Sequence, residues 1–210
     1  AIVSGYQAHF THERAHGAYT VFQEGVYPTR AHAEAALQAR GLYVYTSANQ
    51  VLASLIIHAA QPVEYQHIHW PSAALPEHTW VLHLLMVHPS LAGQGIGARL
   101  VRYGLSLASA HGCTVVRLDT GAQNLPAVAL YQKLGFQQVA QSDMQVGGAI
   151  AHRQQNVTRM VLRNHGRRAG LGLVQHLDHV KACAGAEGAE LLPLPGGRRC
   201  QIGRASCRER

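Results

Sequence analysis

A glycine-rich loop between an apolar run and a helix-like segment is the first feature of this chain that could do chemistry. Residues 84–87 form the apolar run, which leads through Pro89 to Gly93, Gly95 and Gly97. Glycine lets a backbone approach a ligand closely, and the first turn of a helix has N–H groups with no partner inside the helix. Such a loop offers backbone donors to a pyrophosphate. The spacing therefore predicts a phosphate-bearing ligand here.

Two nucleotide-binding motifs compete for this loop. A P-loop is excluded because no Lys-Ser or Lys-Thr pair follows the last glycine. The dinucleotide fingerprint of NAD(P)-binding oxidoreductases is matched by Gly93, Gly95 and Ala98, with Asp119 as the ribose-binding acid. However, residues 89–92 separate this loop from its strand, and only one further short helix follows. The oxidoreductase is therefore the weaker alternative.

A second segment, residues 124–136, indicates which phosphate-bearing ligand the loop binds. Asn124 precedes a short predicted helix, Pro126 lies in the first turn, and Gly135 ends it before Phe136. Together the two segments resemble the GNAT family of acetyl-CoA-dependent N-acetyltransferases. The matching positions are Gly95, Gly97, Asn124, Ala127, Leu130, Tyr131, Gly135 and Phe136.

The resemblance implies an α/β fold of the GNAT type. We expect N-terminal helices, a mixed central sheet, a central β-α-β-α unit for acetyl-CoA and a closing pair of antiparallel strands. The first strand of the family is missing, which we attribute to truncation. A second departure is Ala92, where the family usually has Arg or Gln.

The resemblance also implies a role for each candidate site residue. Acetyl transfer needs a held donor, an unprotonated amine, support for a developing oxyanion and a proton for the leaving thiolate. Tyr131 is expected to be the general acid and His83 the general base, with His88 and Glu64 as reserves. Acetyl-CoA, the co-substrate, is expected to contact the fourth strand of the family, the glycine loop and the helix start, which are Leu85, Met86, Val87, Ala92, Gly93, Gln94, Gly95, Ile96, Gly97 and Asn124.

The acceptor is expected to be a primary amine on a small molecule or a peptide, and a homodimer remains open. Tyr27, Glu64, Tyr65 and Trp70 lie in connections that the fold would bring near the acceptor, with residues 147–155 as another wall. His67 and His69 alternate but lack a third ligand nearby, so no metal is expected. A catalytically silent module that binds acetyl-CoA remains the alternative from another class.

Composition and charge narrow the remaining possibilities. The chain has 210 residues and a net charge of +7, but residues 1–162 carry only +2 of it and residues 163–210 carry +5. With so little basicity in the patterned part, we predict no nucleic-acid partner. We expect no membrane partner and a cytoplasmic location, because no apolar run approaches the roughly 20 residues that cross a bilayer. The four cysteines show no zinc-ligand spacing.

Two regions follow from the patterning. We predict one GNAT domain over residues 1–162 and a Gly- and Pro-rich tail of low order over residues 163–210. Residues 202–210 are similar to a translated sequencing adapter, so the tail is interpreted as non-native.

The elements that must position these groups can be placed along the domain. Helices are predicted from Ile2 and over residues 30–40, the second ending at Gly41, and a hairpin follows. The predicted order is then strand, glycine loop, helix, strand, short helix and a closing hairpin.

Overall fold

The computed structural model describes residues 2–47, 50–145, 154–163, 190–193 and 199–204. Within these ranges the chain forms one mixed sheet with helices on both faces, as the α/β prediction required. The helices are α1 (Ile2–His16), α2 (Arg30–Gln38), α3 (Ile96–Ala110) and α4 (Leu125–Lys133). The strands are β1 (Leu42–Ser47), β2 (Gln50–His58), β3 (Thr79–Val87), β4 (Val115–Gly121), β5 (Gln137–Gln145), β6 (Gln154–Arg163), β7 (Glu190–Pro193) and β8 (Arg199–Arg204).

The sheet splits at its centre. Its strand order is β5-β6-β4-β3-β2-β1-β8-β7, and β3 and β4 are parallel neighbours while the other pairs are antiparallel. The parallel pairing runs from Thr79 opposite Val115 to Leu82 opposite Leu118 and goes no further. Beyond Leu82, β3 therefore has a neighbour on its β2 side alone, among the described strands.

A β-bulge marks the point where the two strands part. Leu82 lies opposite Ile57 and Leu84 lies opposite Ile56, so His83 is an extra residue in β3. An extra residue reverses the side-chain alternation beyond it. As a result, Leu82 and Leu85 both face α3, although they are three positions apart.

Each face of the sheet has its own core. On one face, α3 buries Leu100 and Val101 against Leu55 and Ile57 of β2. On the other face, α1 and α2 cover Leu84 and the hydrophobic side chains around it, which are Tyr6, Phe10, Ala33, Ala36, Leu42, Ile56 and Met86. Because apolar side chains are buried on both faces of the sheet, β3 is held in the interior of the protein. This strand carries the predicted base.

The end of α2 differs from the prediction. The helix stops at Gln38, and Arg40, with a φ of 55°, takes the left-handed conformation that was expected of Gly41. Gly41 meets a different requirement, because a Cβ there would lie 2.7 Å from Cδ2 of His58 and 2.9 Å from the carbonyl oxygen of Ile57. The glycine is needed for a close approach to β2 and not for its backbone freedom.

Part of the predicted low-order tail lies in the sheet. Strand β8 pairs with β1, from Tyr43 opposite Arg204 to Ser47 opposite Cys200, and β7 pairs with β8. These strands occupy the edge of the sheet at β1 and pair with its backbone groups, which would otherwise be open. The domain boundary near Leu162 stays a prediction. No helix in the described ranges has both the length and the apolar character needed to cross a membrane.

Candidate active site

A cavity of about 630 Å³ opens where β3 and β4 part. Its walls include the main predicted site residues, Tyr131, His83 and Asn124, together with the part of β3 beyond the bulge. Residues from α1 and from the segment after it close the opposite end. The cavity therefore has a loop end, at the start of α3, and an N-terminal end, beneath α1.

The loop end is built on glycine backbone geometry. Gly93 and Gly95 have φ angles of 75° and 74°, which side chains rarely tolerate, and Gly95 is the N-cap of α3. A Cβ on Gly97 would lie 3.4 Å from Cδ2 of Leu130 and 3.5 Å from Cδ2 of Leu85. The N–H groups of this first turn have no intrahelical acceptor, so they can bind an anion.

Side chains of the loop take different positions around this backbone. Ile96 is 1% exposed and anchors the helix in the core. Gln94 donates from Nε2 to the carbonyl oxygen of Ser90 at 3.3 Å. Ala92 lines the cavity and, with Gly97, marks where the loop reaches it. An anion at this point meets backbone donors and no side-chain cation from position 92.

The open edge of β3 supplies further main-chain groups. His88 donates its N–H to the carbonyl oxygen of Leu52 in β2 at 2.8 Å. Main-chain groups of successive strand residues point to alternate sides, so those of Met86 also face β2. Those of Leu85 and Val87 face the split. An extended ligand arm could therefore add to β3 as a strand does.

Tyr131 lies on the cavity wall and is almost fully buried. Its ring is 4% exposed and meets Phe136 edge-to-face at 5.6 Å between centroids. Burial, and secondarily the negative charge of Asp119, raises the pKa of the Tyr131 hydroxyl well above its usual value. The hydroxyl therefore keeps its proton at neutral pH, as a hydrogen-bond donor or an acid must. Asn124 starts α4, because its Oδ1 accepts from the N–H of Ala127 at 3.2 Å.

His83 sits at the bulge and lines the cavity. Its ring stacks on His58 at 4.1 Å between centroids, and its Nε2 is a buried atom without a hydrogen-bond partner in the structure. Desolvation, with a smaller contribution from His58, lowers the pKa of His83 to about 3. The imidazole is therefore neutral in the ordinary pH range and offers a lone pair. The main-chain carbonyl oxygen of His83 accepts a hydrogen bond from the hydroxyl of Tyr27 at 3.0 Å.

The N-terminal end of the cavity is held by a buried carboxylate. Oε1 of Glu13 accepts from the N–H groups of Tyr19 at 3.0 Å and Thr20 at 2.7 Å, and Oε2 lies 3.4 Å from Nε2 of His9. These contacts hold the segment after α1 over the cavity. The segment contributes the ring of Phe22, which meets Tyr27 edge-to-face at 5.6 Å between centroids.

Asp119 provides a carboxylate between the two ends. Its Oδ2 accepts from the hydroxyl of Tyr65 at 2.7 Å, and the main-chain oxygen of Tyr65 accepts from the indole N–H of Trp70 at 3.1 Å. Tyr65 is 2% exposed, so this anchor is rigid. Asp119 lines the cavity. The sequence analysis had raised Asp119 as the ribose-binding acid of the oxidoreductase alternative.

The remaining candidates are divided between the cavity and the surface. Glu64 lines the cavity, whereas the ring of His88 is turned to Ser90, with Nδ1 lying 2.8 Å from Oγ. His67 and His69 are exposed, and no three His, Cys, Asp or Glu side chains cluster as metal ligands in the part of the chain described. Residues 147–153 of the predicted acceptor wall lie outside the described residues.

Sequence reasoning missed the contribution of α1 and the segment after it. His9, Tyr19, Thr20 and Phe22 line the cavity, yet no motif marks them. One sequence signal was available, an acidic residue within a helix of otherwise mixed composition. That residue, Glu13, is buried in the structure. Tyr27, expected near the acceptor, does line the cavity.

Comparison with known proteins gives a consistent family. Residues 8–136 match the family model of the acetyltransferase (GNAT) family. A mycothiol acetyltransferase of Corynebacterium glutamicum is 42% identical over 68 residues, which are 32% of this chain and 23% of that protein. N-acetyltransferase 8 of Homo sapiens is 49% identical over 49 residues, 23% of this chain and 22% of that protein. The chain thus matches about a quarter of the length of these curated relatives.

Solved structures show the same fold. That of yncA from Salmonella typhimurium with its cofactor acetyl-CoA has a TM-score of 0.52 at 20% identity, covering 85% of this chain and 91% of that one. An N-acetyltransferase from Staphylococcus aureus Mu50 has a TM-score of 0.54 at 18% identity, covering 77% of this chain and 92% of that one.

Proposed function

Because the chain belongs to the acetyltransferase (GNAT) family, we propose that it transfers the acetyl group of acetyl-CoA to a primary amine by direct attack in a ternary complex. One observation carries the proposal. The glycine loop through Ala92 and Gly97, the open edge of β3 and Tyr131 all border one cavity, which continues past them to a separate N-terminal end. A donor and an acceptor could therefore meet inside it.

The donor is held chiefly by main-chain groups. Of the N–H groups of residues 93–97, that of Gln94 donates to the carbonyl oxygen of Leu91 at 3.3 Å, and the others bind the pyrophosphate at the positive end of the α3 dipole. Leu85 and Val87 hydrogen-bond the pantetheine arm along the split, while Met86 contributes packing. Asn124 positions α4 beside that arm. The lack of a cationic or amide side chain at Ala92 leaves phosphate binding to the backbone.

The reacting groups are supplied from both sides of the split. When bound, acetyl-CoA supplies the thioester carbonyl carbon to which the amine nitrogen bonds and the sulfur that leaves. Tyr131 gives its hydroxyl proton to that sulfur. Its raised pKa keeps the hydroxyl protonated until that transfer.

His83 is the proposed acceptor of the amine proton. A neutral imidazole with a pKa of about 3 is a weak base for a free ammonium ion. The nitrogen is far more acidic once it has bonded to the acetyl carbon, so a weak base at that point suffices. The place of His83 in the lining of the cavity supports this role, directly or through one water.

The acceptor is proposed to be a small-molecule or peptide amine. The chain is proposed to act in the cytoplasm, where it could form a homodimer. The cavity volume of about 630 Å³ is within the range of small-molecule sites and supports a compact acceptor.

Two measurements test the proposal. Calorimetry should detect binding of acetyl-CoA and none of NAD, and thiol release should be seen with at least one member of a panel of primary amines. With acetyl-CoA and an amine that gives thiol release, Tyr131→Phe should lower kcat by about 10²- to 10⁴-fold and leave the Kd for acetyl-CoA unchanged. Binding without thiol release from any amine would favour the silent module, and full activity of Tyr131→Phe would remove the acid from the mechanism.

A further inference from the structure

A tyrosine hydroxyl ends the open edge of β3 at the bulge. The parallel pairing of β3 with β4 stops at Leu82 and Leu118, so His83 is the first residue of β3 beyond it. At this position the main-chain carbonyl oxygen of His83 accepts a hydrogen bond from the hydroxyl of Tyr27 at 3.0 Å. Tyr27 belongs to the segment after α1 and lines the cavity. A side chain from a distant part of the sequence therefore occupies a main-chain acceptor on the edge where acetyl-CoA is proposed to bind.

The direction of this carbonyl follows from the geometry of the strand. The N–H of Leu84 faces β2, as that of His88 does, because strand residues alternate and Leu84 lies opposite Ile56. A trans peptide group points its N–H and its C=O in opposite directions. The carbonyl of His83 therefore points away from β2 and into the split, where the hydroxyl of Tyr27 meets it.

The main-chain groups along the split then follow in a fixed order. Beyond the carbonyl of His83 come the N–H and the carbonyl of Leu85, and after them the N–H of Val87. Because Tyr27 already occupies the first carbonyl, the next group that faces the split is a hydrogen-bond donor, the N–H of Leu85. An arm that adds to this edge must therefore present a carbonyl oxygen at its inner end. The thioester of acetyl-CoA carries such an oxygen.

Aromatic contacts hold Tyr27 in place. Its ring meets that of Phe22 edge-to-face at 5.6 Å and that of His32 at nearly a right angle at 4.8 Å, both between centroids. His32 is held in turn, because its Nδ1 lies 2.8 Å from Oγ1 of Thr29. Burial, and after it the charge of Asp119, raises the pKa of the Tyr27 hydroxyl well above its usual value. The hydroxyl therefore keeps the proton that it donates.

We propose that Tyr27 is a positioning residue of the acetyl-CoA site, whose hydroxyl caps the carbonyl of His83 and so restricts the thioester end to the N–H of Leu85. The inference rests on the transfer function proposed above and concerns the same cavity. In this role Tyr27 acts through the main chain of β3 and not on the reacting atoms. The cap fixes the register of the added arm. It also covers a bare carbonyl that would repel negative charge developing on the thioester oxygen.

The hydroxyl can be removed without the ring. Tyr27→Phe keeps the aromatic contacts and frees the carbonyl of His83. Tyr43→Phe is the matched control, because Tyr43 is also buried, its hydroxyl donates to the carbonyl oxygen of Arg40 at 3.5 Å, and it is not among the residues that line the cavity. Thermal melting of both variants in the presence of CoA defines a temperature at which each is folded.

The direct test observes the thioester carbonyl without any acceptor amine. A hydrogen bond to its oxygen polarises a carbonyl group, so the NMR signal of acetyl-CoA labelled with carbon-13 at that carbon should move downfield when the protein binds it. Tyr27→Phe should lose most of this shift, whereas Tyr43→Phe should keep it, and the Kd for CoA should be unchanged in both. Absence of a downfield shift in the wild type, or a full shift in Tyr27→Phe, would overturn the inference.

Turnover separates this inference from the transfer proposal. With an amine that gives thiol release, Tyr27→Phe should lower kcat about tenfold or more and leave the KM for acetyl-CoA nearly unchanged, since a displaced thioester loses reaction geometry and not affinity. If no amine releases thiol while the shift still depends on Tyr27, the transfer proposal fails and the positioning role stands. If transfer proceeds while wild type and Tyr27→Phe give the same signal, the inference alone fails.

A second variant covers the case in which Tyr27→Phe does not fold. Phe22→Leu leaves the hydroxyl of Tyr27 but removes the ring that packs against it. The loosened hydroxyl should give a smaller downfield shift than in the wild type. An undiminished shift in Phe22→Leu would then count against the inference.

Discussion

Gly41 connects the packing of the sheet to the chemistry of the cavity, and its replacement by alanine has a calculable cost. The added Cβ would lie 2.7 Å from Cδ2 of His58 and 2.9 Å from the Ile57 carbonyl oxygen. Hydrogen bonds hold Gly41 on both sides, because its N–H donates to Ala36 at 2.9 Å and its oxygen accepts from the N–H of Ile57 at 2.9 Å. The backbone can therefore not simply move away.

The net effect of Gly41→Ala is the difference between two contributions. Overpacking costs about 1–3 kcal/mol, and the smaller entropy of an unfolded chain with alanine offsets about 0.4–1 kcal/mol of it. We expect a loss of about 1–2 kcal/mol, or a fall in Tm of roughly 2–8 °C for a chain of this size. Differential scanning calorimetry measures it directly.

Gly5→Ala in α1 is the matched control. A Cβ at Gly5 meets nothing within 4 Å, so the change should add helix propensity of up to about 1 kcal/mol and raise the Tm. Gly41→Ala should also disturb activity, since His58 stacks on His83. A Tm of Gly41→Ala equal to or above that of the wild type would refute this reasoning about close approach.

Two further predictions concern the phosphate loop and the proposed base. Ala92→Arg should tighten acetyl-CoA binding about tenfold at low salt, and this gain in affinity should shrink as salt rises. Calorimetry with pantetheine, which lacks phosphate, should show no gain. An equal gain in affinity for both ligands would contradict a contact with phosphate. The pKa of His83 is about 3 in the folded chain and about 6.5 in the unfolded one, so the unfolded state binds more protons between these values and stability falls as pH drops from about 6.5 to 3. His83→Gln should make the fall in Tm over that window shallower, whereas the exposed His67→Gln should not; equal slopes for wild type and His83→Gln would argue against a neutral buried ring.

Local features of the site could be predicted from the sequence because their causes lie within a few residues. Gly95 and Asn124 do cap their helices, as short-range backbone requirements dictated. The prediction of a GNAT-type α/β fold was confirmed. It could be made from the sequence because the residues that carry the resemblance lie in contiguous motifs.

Long-range partners could not be predicted in this way. The Tyr27 hydroxyl meets the His83 carbonyl across 56 positions of sequence, and the Tyr65 hydroxyl meets Asp119 across 54. These contacts depend on how the sheet splits, which no local pattern encodes. Gly41 shows the same limit at close quarters. Its position after a helix suggested a conformational role, while the real constraint comes from His58 on the neighbouring strand.

The bulge at His83 makes β3 sensitive to length more than to composition. Its two halves are out of phase by one residue, so that Leu82 and Leu85 share a face while Leu84 packs beneath α1. Many single substitutions along the strand would preserve that phase. Deleting His83 would leave Leu82 and Leu84 opposite Ile57 and Ile56 and so keep the faces, whereas deleting a residue between His83 and Met86 would exchange the faces of everything after it and move Met86 into the place of Leu85. In this strand, an insertion or deletion is therefore the change that variation within related chains should avoid most strictly.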